Sequence, residues 1–183
     1  MIRLEPLEKR DFTKIVEWNK GKSGDFLIQW SGPIYSYPLT VEQIEDYFSK
    51  TDANNSNDVL IFKIVMEETN EMVGTIELRK YEKAMNTGRV GRFLIGEEAA
   101  RGKGIGKEAL AEIVSIGFEK LNYDKVCLGV FDFNKNAICC YEGIGFEKDS
   151  IIERANENGS GTWNLYEMSI TRTKWNQRDC EDK

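Results

Sequence analysis

The chain has 183 residues, the size of one ordinary domain or two small ones. Hydrophobic residues make up 40% and charged residues 31%, a balance that excludes a disordered chain. There is no histidine, which removes the Ser-His-Asp triad, the Cys-His pair and imidazole zinc sites. Any general acid or base is therefore Asp, Glu, Lys, Tyr, Cys, a chain terminus or water. A net charge of -6 excludes a nucleic-acid binder that works through a broad basic face, but leaves room for a small basic pocket.

The cysteines are Cys127, Cys139, Cys140 and Cys180. They have no metal-ligand spacing and are too sparse for a secreted disulfide framework, so no metal site is expected and the thiols read as free and cytosolic. Arg3, Glu5, Glu8, Lys9 and Arg10 break any signal-peptide core at the start of the sequence. No apolar run is long enough to span a bilayer. A cytoplasmic protein with no membrane partner is the expectation.

In chain order, Ile2 to Leu7 predicts a short strand, and Phe12, Ile15 and Val16 place an amphipathic helix over Glu8 to Trp18. Asn19 to Leu39 reads as a loop, with Gly21, Gly24 and Gly32 among Phe26, Trp30, Tyr35 and Tyr37. That much aromatic surface is unusual for a linker. Thr40 and Gln43 form a capping box before a second helix, whose apolar stripe is Val41, Ile44, Tyr47 and Phe48. A polar turn is expected over Asp52 to Asp58. A hairpin follows, Val59 to Met66 and Met72 to Lys80, and then a strand over Arg89 to Ile95. A helix follows Arg101–Lys107, then a strand over Lys125 to Phe131 and a short helix over Asn134 to Glu142. Gly145 to Arg154 and Thr162 to Thr171 make a closing strand pair joined by a turn over Asn156 to Gly161. The polar tail is expected to fray. The order predicts one α/β domain of α+β type over residues 1–172, with a tail over 173–183. Its sheet is mixed, mostly antiparallel and twisted, flanked by about four helices.

Arg101-Gly102-Lys103-Gly104-Ile105-Gly106-Lys107 carries the chemistry. Glycines let the backbone turn sharply, and the first amides of the following helix lack intrahelical partners. With three cationic side chains, the segment suits a phosphate-bearing ligand. It is not a Walker A loop, because Glu108 follows Gly106-Lys107 where Ser or Thr is needed. Gly104-x-Gly106-x-x-Ala109 fits a loose dinucleotide pattern, but Asp124 and Asp132 are both misplaced for the ribose-binding acid. A dinucleotide-dependent oxidoreductase is the weakest alternative.

Arg101-x-x-Gly104-x-Gly106 resembles the pyrophosphate motif of the GNAT superfamily of acyl-CoA-dependent N-acetyltransferases. Asn134-x-x-Ala137-Ile138-x-x-Tyr141-Glu142-x-x-Gly145-Phe146 resembles that family's second signature. The element order is also similar, and the layout looks closest to the ribosomal-protein N-acetyltransferase branch. The resemblance implies direct acetyl transfer from acetyl-CoA to a primary amine, on a small molecule or a protein N-terminus. It implies that Arg101, Gly102, Lys103, Gly104, Ile105, Gly106 and Lys107 hold the pyrophosphate. It further implies a splayed strand pair in which the main chain of Phe93, Leu94 and Ile95 takes the pantetheine arm, helped by Asn134. Tyr141 is implied as the acid that protonates the departing thiolate. A phenol and a thiol are close enough in acidity for that transfer to be roughly balanced.

With no histidine, a carboxylate acting directly or through water is the natural base, and Glu77, mid-strand between Ile76 and Leu78, is the candidate. Asp132 is the second. The resemblance also implies that the region of Trp30, Tyr35 and Tyr37 walls the acceptor site, as an amine pocket or a peptide groove. Cys139 and Cys140 lack an activating partner and read as small helix residues. A non-catalytic CoA-binding module on the same fold is the alternative in another class. The expected state is a monomer or homodimer.

Overall fold

The structure, a computed structural model, describes residues 1–52, 58–156 and 162–181. β1 (Ile2–Pro6) leads through a 3-10 turn (Lys9–Asp11) into α1 (Phe12–Asn19), α2 (Gly24–Ser31) and α3 (Val41–Asp52). Next come β2 (Val59–Met66), β3 (Met72–Lys80) and β4 (Thr87–Ile95). Then α4 (Ile105–Ser115) closes in a π-helical turn (Ile116–Lys120), before β5 (Lys125–Phe131) and α5 (Lys135–Glu142). β6 (Glu147–Asn156), β7 (Trp163–Thr171) and α6 (Arg172–Glu181) complete the chain. This is a mixed α/β fold. Its seven-stranded sheet has the order β1-β2-β3-β4-β5-β7-β6 and is mostly antiparallel, with β4 and β5 parallel.

Two compact units divide the chain. One holds Met1–Arg79 and Gly91–Ile105, the other Lys80–Val90 and Gly106–Lys183. In the first unit, Phe12, Ile15 and Trp18 of α1 are buried with Leu27, Trp30, Tyr35 and Ile44 in one apolar core. The β2–β3 hairpin pairs Ile61 with Glu77 and Val59 with Arg79. A Cβ at Gly74 on β3 would stand 2.4 Å from the Leu94 carbonyl oxygen, so only glycine lets β4 approach there.

The second unit is built on β5, where Val126, Cys127, Leu128 and Val130 are all buried. Every residue of β5 from Lys125 to Phe131 pairs antiparallel with β7. Ala109, Leu110, Ile113 and Val114 give α4 a wholly buried face at helical spacing. Arg89 and Glu167 form a two-pronged pair at 2.6 and 2.9 Å between β4 and β7.

The sequence reading placed about four helices, and the described residues hold six. α2 lies where the glycines predict a loop. Ser23 caps it by accepting from the Phe26 amide at 3.2 Å, Leu27 and Trp30 point inward, and Gly32 at φ 65° ends it. α6 lies where a frayed tail was expected. Half of the expected capping box forms: Thr40 Oγ1 accepts from the Gln43 amide at 3.4 Å. The Gln43 side chain instead binds Ser36 and Pro38. Residues 53–57 and 157–161, within the two expected turns, lie outside the described residues.

Candidate active site

The loop before α4 has the shape its glycines predict. Gly102 and Gly104 stand at φ 73° and 82°, in the left-handed region. A Cβ on either would meet nothing within 4 Å, so their main chain faces open space. Lys103 and Lys107 are exposed, and the first-turn amides of α4 begin at Ile105, which is itself buried. In the first unit the loop therefore offers main-chain donors and Lys103 to an anion, which fits a phosphate; Lys107 stands in the second unit. Arg101 does something more specific. Its Nε donates to the Ile95 carbonyl at 2.9 Å and its guanidinium reaches the Gly96 carbonyl at 3.4 Å. It ties the loop to the end of β4.

The register pairs of β4 with β5 run over Thr87–Arg89 and Lys125–Cys127. Phe93, Leu94 and Ile95 lie further along β4, beyond Arg92. That arginine has φ 43°, an uncommon value for a residue with a Cβ. Its guanidinium grips the Glu77 carboxylate through Nε and Nη2.

Glu77, the candidate base, sits in a charged cluster. Its carboxylate is fully buried. It accepts from Tyr47 Oη at 2.7 Å, from Arg79 Nε at 2.7 Å and from both donors of Arg92. A carboxylate with no exposed surface and both oxygens engaged by guanidinium groups is poorly placed to take a proton from an incoming amine. It holds Arg92 and Arg79 in ion pairs. Trp30 and Tyr35, also in the first unit, do come together with it. Their rings are 6.0 Å apart, Tyr35 meets Tyr47 at 5.8 Å, and both line one narrow cavity with Glu77 and Arg92.

In the second unit, Asn134 is the N-cap of α5, its Oδ1 accepting from the Ala137 amide at 3.3 Å. The capping role leaves its Nδ2 donors for another partner. Tyr141 is half-buried on α5 with its ring 6.3 Å from that of Phe146. Burial pushes its phenol well above the ordinary tyrosine range. Its carbonyl accepts from Ile144 and Phe146, so Gly145-Phe146 is a helix stop and core anchor. Asp132 accepts from Asn164 Nδ2 at 2.9 Å. Burial raises the Cys140 thiol, partly offset by Lys107, so this cysteine is not an activated nucleophile. Cys139 is exposed on α5, and the side chain of Cys180 lies outside the described residues. Among the described residues no acidic or thiol cluster could hold a metal ion, and no helix is long and apolar enough to cross a membrane.

Residues 2–147 match the family model described as an acetyltransferase (GNAT) domain. The chain belongs to the GNAT acetyltransferase family. Among curated GNAT relatives, the SPbeta prophage-derived uncharacterized N-acetyltransferase YokL of Bacillus subtilis is 33% identical over 91 residues. That match covers 50% of each protein, so the chain spans about half the length of YokL. The probable N-acetyltransferase YjcK of Bacillus subtilis is 28% identical over 175 residues, 91% of each. The fold is that of a spermidine N-acetyltransferase from Vibrio cholerae solved with CoA and spermine, with TM-score 0.80 and 18% identity over 95% of this chain and 97% of that one. GNAT acetyltransferases use acetyl-CoA, and the open loop at Gly102 and Gly104 is where this chain's residues suit its pyrophosphate. The layout-based likeness to the ribosomal-protein branch has no counterpart among these neighbours, which share the fold with a spermidine enzyme.

The site residue that sequence reasoning missed is Arg79, with Tyr47 beside it. Tyr47 reads as one more apolar helix position, and nothing in the local sequence singles out Arg79. Only the β2–β3 register and the packing of α3 bring them to Glu77.

Proposed function

We propose that the chain is an acetyl-CoA-dependent N-acetyltransferase, its catalytic domain residues 1–172, that acylates a primary amine of a small molecule by direct attack. The observation that carries this reading is the open, left-handed glycine loop at the start of α4. It carries exposed lysines in a chain of net charge -6. Acetyl-CoA supplies an activated acyl group as a thioester, so the chain needs no nucleophile of its own. In the first unit, Lys103 and the loop amides hold phosphate, Arg101 braces the loop, and the main chain of Phe93 to Ile95 lies along the pantetheine arm. In the second unit, Lys107 adds charge, Asn134 Nδ2 donates to the arm and Tyr141 is the acid.

The amine forms a new N–C bond as the C–S bond breaks. The nitrogen gives up its proton to water, and Tyr141 returns one to the sulfur. Glu77 acts through Arg92 and Arg79 rather than as the base. A small-molecule acceptor is favoured over a protein N-terminus because the fold is shared with a spermidine N-acetyltransferase solved with spermine.

The test is free-thiol release from acetyl-CoA with a panel of primary amines, alongside thermal protection by CoA. Turnover with at least one amine supports the reading. Protection by CoA without turnover for any amine favours a binding module, and protection by NAD but not by CoA sinks both.

A further inference from the structure

The first unit holds a cavity of about 290 Å³. That is near the lower end for ligand pockets, about 300–1,000 Å³, so it suits one ring system with its sugar rather than a whole cofactor. Val73 of β3, Ala100 and Ile105 line it and are buried. Met66 and Met72 add thioethers, which pack favourably on aromatic rings. Lys14 and Glu97 also line it, but they are paired with each other, Nζ to Oε1 at 2.7 Å. Two charged side chains of the lining, Lys103 and Glu71, have no ion-pair or hydrogen-bond partner among the described residues. Lys103 and Ile105 flank Gly104, where the main chain faces open space. The cavity therefore adjoins the loop read above as the pyrophosphate site.

We propose that this cavity receives the adenosine 3′-phosphate end of acetyl-CoA: adenine packs on Met66, Met72 and Val73, its exocyclic amine donates to Glu71, and Lys103 takes the 3′-phosphate. The inference rests on acetyl-CoA use and on the reading of the loop, and it deepens both by placing the end of the cofactor furthest from the thioester. One ribose carries the pyrophosphate and the 3′-phosphate, so a lysine on the loop can meet both groups. An ionised carboxylate is acceptor-only and matches the donor edge of adenine. A free cation and a free carboxylate in one cavity fit a ligand that is anionic at one end and a donor at the other. A polyamine would meet like charge at Lys103, and a fatty acid would meet it at Glu71.

Calorimetry with CoA, 3′-dephospho-CoA and 4′-phosphopantetheine, which lacks the adenosine, reads the contribution of each part. CoA should bind about tenfold or more tighter than 4′-phosphopantetheine, the size of a charge-assisted contact. Ala99 is exposed and lines the cavity, so Ala99→Leu narrows it from the solvent side. That variant should cut the advantage of CoA at least about fivefold and leave 4′-phosphopantetheine binding unchanged. Glu71→Ala should cut the same advantage at least about threefold, and Lys103→Gln should remove most of the difference between CoA and 3′-dephospho-CoA. Equal binding of CoA and 4′-phosphopantetheine, or an advantage that Ala99→Leu leaves unmoved, overturns the inference and leaves acetyl-CoA use intact. If CoA does not bind at all, the reading of the loop falls together with the inference. If Ala99→Leu does not fold, Glu71→Ala, also at an exposed position, decides in its place.

Discussion

Tyr141 and Glu77 show how one side chain's surroundings set its task. The Tyr141 phenol sits half-buried on α5, and burial favours its neutral form. It therefore keeps its proton up to and beyond about pH 10, the ordinary phenol value. The acid form is present at every working pH, and the activity should rise with pH as the acceptor amine loses its proton. No fall is expected between about pH 8 and 10. Tyr141→Phe should lower kcat by about a hundredfold at saturating acetyl-CoA, the low end for a lost general acid. The pH–rate profile of both proteins checks this, and an alkaline limb below pH 9 that vanishes in the variant would contradict the raised phenol. Glu77 tests the opposite situation, a carboxylate whose charge is wanted by its neighbours. Glu77→Gln keeps the shape and leaves Arg79 and Arg92 without a counter-charge, which should cost on the order of 3–5 kcal/mol. Urea denaturation measures it. A loss near zero would mean that the guanidinium groups do not depend on Glu77.

Elements differ in how openly their residues announce them. The hairpin strands β2 and β3 match the sequence reading residue for residue, because branched apolar runs flank a compact polar turn at Glu67 to Glu71. α4 was equally plain, its buried positions falling at helical spacing after the glycine loop. α2 was not legible. It starts at Gly24, is closed by Gly32 and, at eight residues, is too short for its apolar residues to show a clear helical period, so it reads as loop. What holds it is a cap and a tertiary bond. Ser23 covers its first turn, and Trp30 Nε1 donates to Asn19 Oδ1 at 3.1 Å from α1. Ser23→Ala should therefore cost about 1 kcal/mol of stability, read from the denaturation midpoint. The loop before α4 carries another prediction. Gly104→Ala forces a Cβ into the left-handed region without any clash, since nothing lies within 4 Å. The strain is about 1–2 kcal/mol. If the loop holds the pyrophosphate as proposed, the KM for acetyl-CoA should rise about tenfold while kcat changes little, because the phosphates are remote from the thioester.

At the scale of the whole molecule, the absence of histidine and the buried phenols set the response to pH. Tyr35, Tyr47 and Tyr141 all have their phenols raised by burial. A group raised in the folded state contributes stability that is complete below its unfolded value, about 10 here. That stability is lost as pH climbs toward the folded value. The chain should therefore lose stability progressively above about pH 10, with no step between pH 6 and 7 where a histidine would titrate. Denaturation midpoints measured from pH 6 to 11 check both parts. Residue order by itself determined the family, the strand and helix order around the site and the glycine loop. These are local patterns, in which backbone freedom, capping and periodicity act over a few neighbours. Only the tertiary structure decided what Glu77 is. A mid-strand glutamate looks the same whether it faces water or two arginines. The register of Ile61 against Glu77, the left-handed backbone at Arg92 and the packing of Tyr47 are long-range facts that no local pattern carries. The base candidate suggested by the missing histidine is thus placed as the buried counter-charge of Arg79 and Arg92, because strand register and packing, not residue type, decide what a side chain meets.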